Sequence, residues 1–466
     1  MYWCIWSAGF AFKRLSHTAQ QSVPFLGRMC LSHAAIEGDD SLKILMLNIP
    51  NTLNYGSMMM GENLIRYLSR EIRDLCDDSS LEKASELVFV IETPKPEETI
   101  SRFAKALDGD ISPRELEAVK PESISRREKL KRYLSWFLTV CFGTKSDTLL
   151  PEGAHDVDLV CVLGGDDYTE DYSVLGPVLA SLRLAALRKT GRKVVMCGQT
   201  IGPFHSWRRP VIAWLLSKVN RIVARDPITH RYLTEDLKLK NAVLAADLAF
   251  LPLNEKFEKP VPGLSDDYFT IVPSELIWRF AKSPVRQEYI DFMTDLSLYV
   301  LSKHPERQLL ILPHVLAPDG ADDRLAGRDL FINLKRRGVS PEKLVFPTCE
   351  LLPNQARHLI DNSALVITGR MHASISAVFT KTPVLVLSYS RKYWGIIHEY
   401  LQMDDLMLDV RFNTWEEILE ASIEKTNYIE ENTQDLLNRM EDKLSQMQGL
   451  AMVNLDVLLQ ELGKTG

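Results

Sequence analysis

The sequence predicts an α/β protein built from two parallel-sheet halves in tandem, with a cleft between them and a long C-terminal helical tail. Three observations lead there. Short apolar runs of the kind buried parallel strands show alternate with longer amphipathic segments from residue 42 to residue 387. One stretch without periodicity, LPLNEKFEKPVPGLSDD at 251–267, interrupts the alternation and reads as a linker. Polar and glycine-rich residues fall just after the strands, the edge at which loops and helix N-termini converge in such sheets.

Residues 42–49 (LKILMLNI) read as the first strand, closed by a turn of Pro50, Asn51, Asn54 and Gly56, with a helix expected at 58–72. Strands are expected at 87–91, 159–163, 193–197 and 221–224, and helices at 175–189, 211–219 and 228–236. The segment 93–151 is longer than an ordinary crossover and rich in Lys, Arg and Glu, so it reads as a solvated helical excursion. Beyond the linker the pattern restarts, with strands at 268–272, 308–312, 344–346, 364–368 and 384–387 and helices at 286–302, 323–336, 353–361 and 371–379. The halves are therefore expected at 41–255 and 268–410. A tail at 411–466 follows, polar on one side and packed back across the sheets. Residues 1–40 carry Lys13, Arg14 and Arg28 but no acid before Glu37, and read as a leader outside the fold, most simply disordered.

With 55 Lys+Arg against 62 Asp+Glu, the net charge of −7 excludes a basic nucleic-acid binder. A 45% hydrophobic and 25% charged composition excludes a disordered or fibrous chain. The seven cysteines are scattered without zinc-like spacing, which fits a reducing compartment. No apolar run reaches the roughly 18 residues of a membrane span. A cytoplasmic location is expected, the leader leaving organellar or membrane-surface targeting open.

The most informative post-strand residues follow the run ALVIT: Gly369, Arg370, Met371 and His372, ahead of the small Ala373, Ser374 and Ser376. A fixed cation, a titratable imidazole and a helix N-terminus make an anion site. The plain alternatives are an Arg370 paired with a carboxylate and a satisfied core histidine. Arg225 ends the run RIVAR before Asp226-Pro227, a helix cap followed by Pro at the first helical position. Its alternative is a surface pair with Asp226. One guanidinium from each wall of a cleft suits a small, doubly anionic ligand. Gly164, Gly165, Asp166 and Asp167 offer close backbone approach and carboxylates, or else a tight solvated turn. The turn at Gln199 (GQTIGP) is equally open to both readings. His314 and Lys392 lie on the same expected rim. G-x-G-x-x-G, the P-loop, G-x-S-x-G and H-E-x-x-H are all absent, and no metal site is evident.

Asn54-Tyr-Gly56, VLGGDD with Asp171, GQTIGP, Arg225-Asp226 with Leu233, AADLAFL around Asp247, and TGRMHASISAVFTKTPVLVLSYSRK together resemble the polysaccharide pyruvyl transferases over about residues 42–400. Two departures stand out: Leu163 where the family often has a further glycine, and Met371 where it often has leucine. The resemblance implies a GT-B-like fold of two Rossmann-like halves, phosphoenolpyruvate as donor substrate, no other cofactor, and a sugar or polysaccharide acceptor converted to a pyruvate ketal. Peripheral contact with a lipid-linked acceptor is compatible with it. His372 is then assigned as general acid or phosphate contact, Arg225 and Arg370 as anion clamps, Lys392 as an auxiliary cation, and Asp166 or Asp167 as base. Asn54, Gly164, Gly165, Gln199, His314 and Met371 are assigned to substrate binding. The rival is a nucleotide-sugar glycosyltransferase of the same architecture, disfavoured because 385–392 (LVLSYSRK) is basic where a ribose-contacting acid would be expected.

Overall fold

Apolar runs with buried residues on both faces can only be satisfied between two layers of helices, and that is where the strands lie. The computed structural model describes residues 41–463, apart from 50, 79–85, 147, 257–260, 318–319 and 348. The leader at 1–40 and the middle of the expected linker lie outside the described residues.

In the first half, β1 (Ser41–Leu47), β2 (Glu86–Glu92), β3 (Leu116–Val119), β4 (Leu159–Leu163), β5 (Lys193–Gln199), β6 (Arg221–Ala224) and β7 (Ala242–Leu244) form one sheet. Its order is β3-β2-β1-β4-β5-β6-β7, every pair parallel. The second half contains β8 (Tyr268–Val272), β9 (Gln308–Ile311), β10 (Leu344–Val345), β11 (Leu365–Thr368), β12 (Val384–Ser388) and β13 (Met407–Asp409). Its order, β10-β9-β8-β11-β12-β13, is also fully parallel. Each sheet has the doubly wound order, so each opens a crevice where the winding reverses, between β1 and β4 and between β8 and β11.

Three edge strands were not expected from sequence: β3, β7 and β13. Each has three or four residues (LEAV, AVL, MLD), too short to show a period of its own. The segment 93–151 is correspondingly not one excursion. It holds the helix Pro96–Ala106, β3 and the helix Arg126–Phe142, two ordinary crossovers. The helix expected at 228–236 is a short α-helix, Pro227–Arg231, continued by a π turn over Tyr232–Asp236. Leu251 and Leu253, at the start of the expected linker, are buried in the core.

The tail is two helices, Trp415–Glu431 and Thr433–Leu462. The second returns to the first half. Buried Asn454 accepts from Gly198 N at 2.9 Å and donates to Ala246 O at 3.0 Å, satisfying backbone groups at the end of β5 and beyond β7. Among the described residues no helix is long and apolar enough to cross a membrane.

Replacing Asn454 by Leu strands two buried backbone groups. We expect a loss of about 2–4 kcal/mol, read as a lower midpoint in thermal unfolding; an unchanged midpoint would show that the tail is not fastened there.

Candidate active site

The two halves meet through backbone hydrogen bonds between the loop after β1 and the loop after β9. Leu316 N donates to Leu53 O (3.0 Å) and Tyr55 N to His314 O (3.2 Å). The Asn51 amide donates to Leu316 O at 3.1 Å. Tyr55 then opens the helix Tyr55–Asp78, and the next residue must be glycine: a Cβ on Gly56 would stand 2.1 Å from His372 Nδ1. The imidazole from the second half rests directly on the backbone of the first.

A polar cavity opens beside this contact. Asn54, Ser57, Met60, Gly165, Asp166 and Arg225 line it from the first half, and His314, Val315, Arg370, Met371, His372, Tyr389 and Lys392 from the second. Most of the residues singled out in the sequence thus converge on one space. Two do not. Gly164 abuts backbone: a Cβ there would lie 2.0 Å from Gly198 O, so its glycine serves the close approach of the β4 and β5 turns. Gln199 is fully buried, its amide donating to Val162 O (2.9 Å) and Cys197 O (3.3 Å), and it ties strands together away from the cavity.

Arg225 is 1% exposed. It donates through Nε to Thr200 Oγ1 at 2.8 Å and through Nη1 to Asp247 Oδ2 at 2.9 Å. The alternative pair with Asp226 is not formed; Asp226 instead caps its helix, accepting from Thr229 N at 2.8 Å. His372 Nε2 faces the same Asp247 oxygen at 3.5 Å, an electrostatic approach rather than a hydrogen bond. Burial works against the Asp247 charge, but His372 and Arg225 outweigh it and hold the carboxyl well below the usual range.

Arg370 does pair with a carboxylate. Its Nε donates to Asp323 Oδ2 at 2.9 Å and Nη2 to Oδ1. Asp323 also accepts from Glu275 N and Val315 N, each at 2.9 Å, so the fork is clamped from behind with part of the guanidinium left to the cavity. Burial opposes the Arg370 charge, yet Asp323 keeps it firmly protonated.

Across the cleft, Lys392 Nζ reaches Asp166 Oδ2 at 2.9 Å, and the Tyr172 hydroxyl donates to the same oxygen at 2.7 Å. Burial would raise the Asp166 carboxyl; Lys392 and Arg225 nevertheless hold it well below its ordinary value. Asp167 is exposed. Partial desolvation of its carboxylate, one oxygen of which lies beside Gly165, and after it the Asp166 charge push the carboxyl up to about 6. Burial drives the His314 imidazole down to about 3, helped by His372 and Arg370, so His314 is neutral at physiological pH.

Sequence reasoning left out of the site Asp247, Asp323, Thr200, Tyr172 and Tyr389. For Asp247 a signal existed: a lone acid inside the apolar run LAADLAFL has to be buried and paired. Asp323 sits in the polar stretch GADDR and carries no such mark. Among the described residues no group of three or more His, Cys, Asp or Glu is placed to hold a metal.

Gly56→Ala should force the imidazole off its seat. Overpacking of about 1–3 kcal/mol is expected as a lower unfolding midpoint, with a shifted His372 ring resonance in NMR; unchanged values for both would contradict the contact.

No curated protein matches the chain in sequence. Solved structures resemble it at the level of fold. Staphylococcus aureus MnaA, solved with UDP, aligns with a TM-score of 0.55 at 11% identity over 90% of this chain and 95% of its own. The UDP-GlcNAc 2-epimerase of Neisseria meningitidis gives 0.53 at 13%, covering 90% and 100%. A glycosyltransferase from Rickettsia africae gives 0.52 at 14%, covering 92% and 100%. These likenesses establish a GT-B-like arrangement of two Rossmann-like halves. The polysaccharide pyruvyl transferase family model matches residues 54–391, a span that holds every cavity-lining residue except Lys392, and the chain belongs to that family.

Proposed function

We propose that the protein transfers pyruvate from phosphoenolpyruvate to a hydroxyl pair of a sugar, in a polysaccharide or glycan precursor, with release of phosphate. One observation carries the reading: Arg225, Arg370 and Lys392 line a single cavity beside His372. A donor bearing a carboxylate and a phosphate on three carbons matches cations arriving from two walls.

The chemistry adds a proton to the donor's C3 methylene, leaving an oxocarbenium-like C2. One sugar hydroxyl attacks C2, the C2–phosphate bond breaks, and the second hydroxyl closes the ketal. Of the two hydroxyl protons, one balances the new methyl group and the other the departing phosphate. His372, already beside the Asp247 charge, is the proton donor or phosphate contact. Arg225 and Arg370 hold the anionic groups in place, and Lys392 adds a third positive charge. Asp166, committed to Lys392 and Tyr172, is a weak base; Asp167 is the better one, its carboxyl being raised, solvent-exposed and next to the lining Gly165.

Arg225→Ala and Arg370→Ala should each weaken phosphoenolpyruvate binding by about 10–100-fold in calorimetry, as expected for loss of a charged hydrogen bond of about 1.5–3 kcal/mol. Retained affinity in both would sink the clamp. His372→Gln should keep donor binding while turnover falls by roughly 10²–10⁴-fold.

A base must be deprotonated to act. Since the Asp167 carboxyl sits at about 6, kcat/KM should rise with pH through that value. Asp167→Asn should remove that acid limb; an unaltered profile would reject the assignment. Saturable binding of a UDP- or GDP-sugar, with none of phosphoenolpyruvate, would instead favour a nucleotide-sugar glycosyltransferase.

A further inference from the structure

The helix Arg126–Phe142 has two apolar faces. Trp136, Thr139 and Val140 turn inward, where they join the core beneath the helices Gly176–Lys189 and Arg208–Leu216. On the opposite side Leu130, Leu134, Phe137 and Cys141 recur at i, i+4, i+7 and i+11, a single stripe along the helix. Leu130 is 71% exposed, Leu134 57% and Phe137 47%, and Phe142 at the end is 74% exposed. Exposed Arg126, Arg127, Lys129 and Lys131 flank this stripe. The one acid in the helix, Glu128, is taken up in the capping box with Ser125. On the same face of the sheet, Trp207 and Trp214 are 55% and 43% exposed beside Lys218, whose Nζ lies 4.7 Å from the Trp214 ring.

A helix that merely faced water would not carry a continuous outward apolar stripe, and a core helix would not carry four exposed cations. An apolar stripe bordered by cations fits an anionic lipid interface. We propose that this face of the first half docks on an anionic bilayer, with Leu130, Leu134 and Phe137 at the headgroup–acyl boundary and the flanking cations on lipid phosphates. Crossover helices run back from the carboxyl edge of a parallel sheet, so the basic end of the helix is the one on the cleft side. Where the proposal names a purpose it rests on the sugar-acceptor reading above: docking there presents the cleft to a lipid-borne sugar.

The test is flotation of the full chain with phosphatidylcholine vesicles, with and without phosphatidylglycerol, at low and high salt. Binding is expected on the anionic vesicles and about tenfold or more weaker on neutral ones or at high salt. The double variants Leu134→Glu/Phe137→Glu and Arg127→Glu/Lys131→Glu should each abolish it with phosphoenolpyruvate affinity and unfolding midpoint unchanged. No flotation of the unmodified chain, equal flotation on neutral vesicles, or binding that survives both variants would overturn the proposal. So would a dimer in light scattering that Leu134→Glu/Phe137→Glu disperses without any vesicle binding, which would make the stripe a contact between copies. Vesicle binding is read without substrate, so failure of the pyruvyl-transfer reading would leave this result standing, and the reverse.

Discussion

A single buried carboxylate, Asp247, joins the halves chemically. It lies in the first half, accepts from Ala249 N at 2.9 Å, and presents its other oxygen to Arg225 from its own half and to His372 from the other. An ionised acid at zero exposure is tolerable only with compensation of this kind, and here it comes from both sides: hydrogen bonds from its own half and the charge of His372 from the other. His372, seated on Gly56, and Arg225, held also by Thr200, both turn toward it.

The rest of the interface repeats the arrangement in weaker form. Arg357 of the second half donates to Ala249 O (2.6 Å) and Leu251 O (3.1 Å), main-chain groups just past Asp247. Arg102 of the first half reaches Leu351 O at 2.6 Å, and the Tyr400 hydroxyl meets Ala245 O at 2.5 Å. Side chains of each half thus satisfy backbone of the other, while the helix Thr433–Leu462 fastens the end of the chain to β5. The cleft is bounded by groups fixed from both directions, which is what keeps charged side chains in defined positions before a ligand arrives.

Much of this was legible in the sequence. Central strands such as β4, β6 and β8 end where the apolar runs end, because burial on both faces leaves no freedom of composition. The cations of the cavity were legible too, since strand ends mark the ligand edge of a parallel sheet. What stayed hidden is of two kinds. Edge strands of three or four residues have no period to read. The counter-charges Asp247 and Asp323 come from segments distant in the chain, and nothing local announces which arginine an acid will meet. Gln199 and Gly164 misled for a related reason: a polar or glycine residue after a strand looks the same whether it serves a ligand or the neighbouring strand.

The pairing of every cavity cation has a further consequence. Arg225 with Asp247, Arg370 with Asp323 and Lys392 with Asp166 make the empty cleft nearly self-neutralised. An incoming anion therefore does not fall into a bare positive well. It displaces or shares a counter-ion that is tethered to the wall, as a solute does on an ion-exchange resin whose mobile phase is built into the matrix. Uptake is then an exchange of one ion pair for another. For an anion of any kind the same property limits affinity and eases departure, because a resident carboxylate stands beside each cation it vacates.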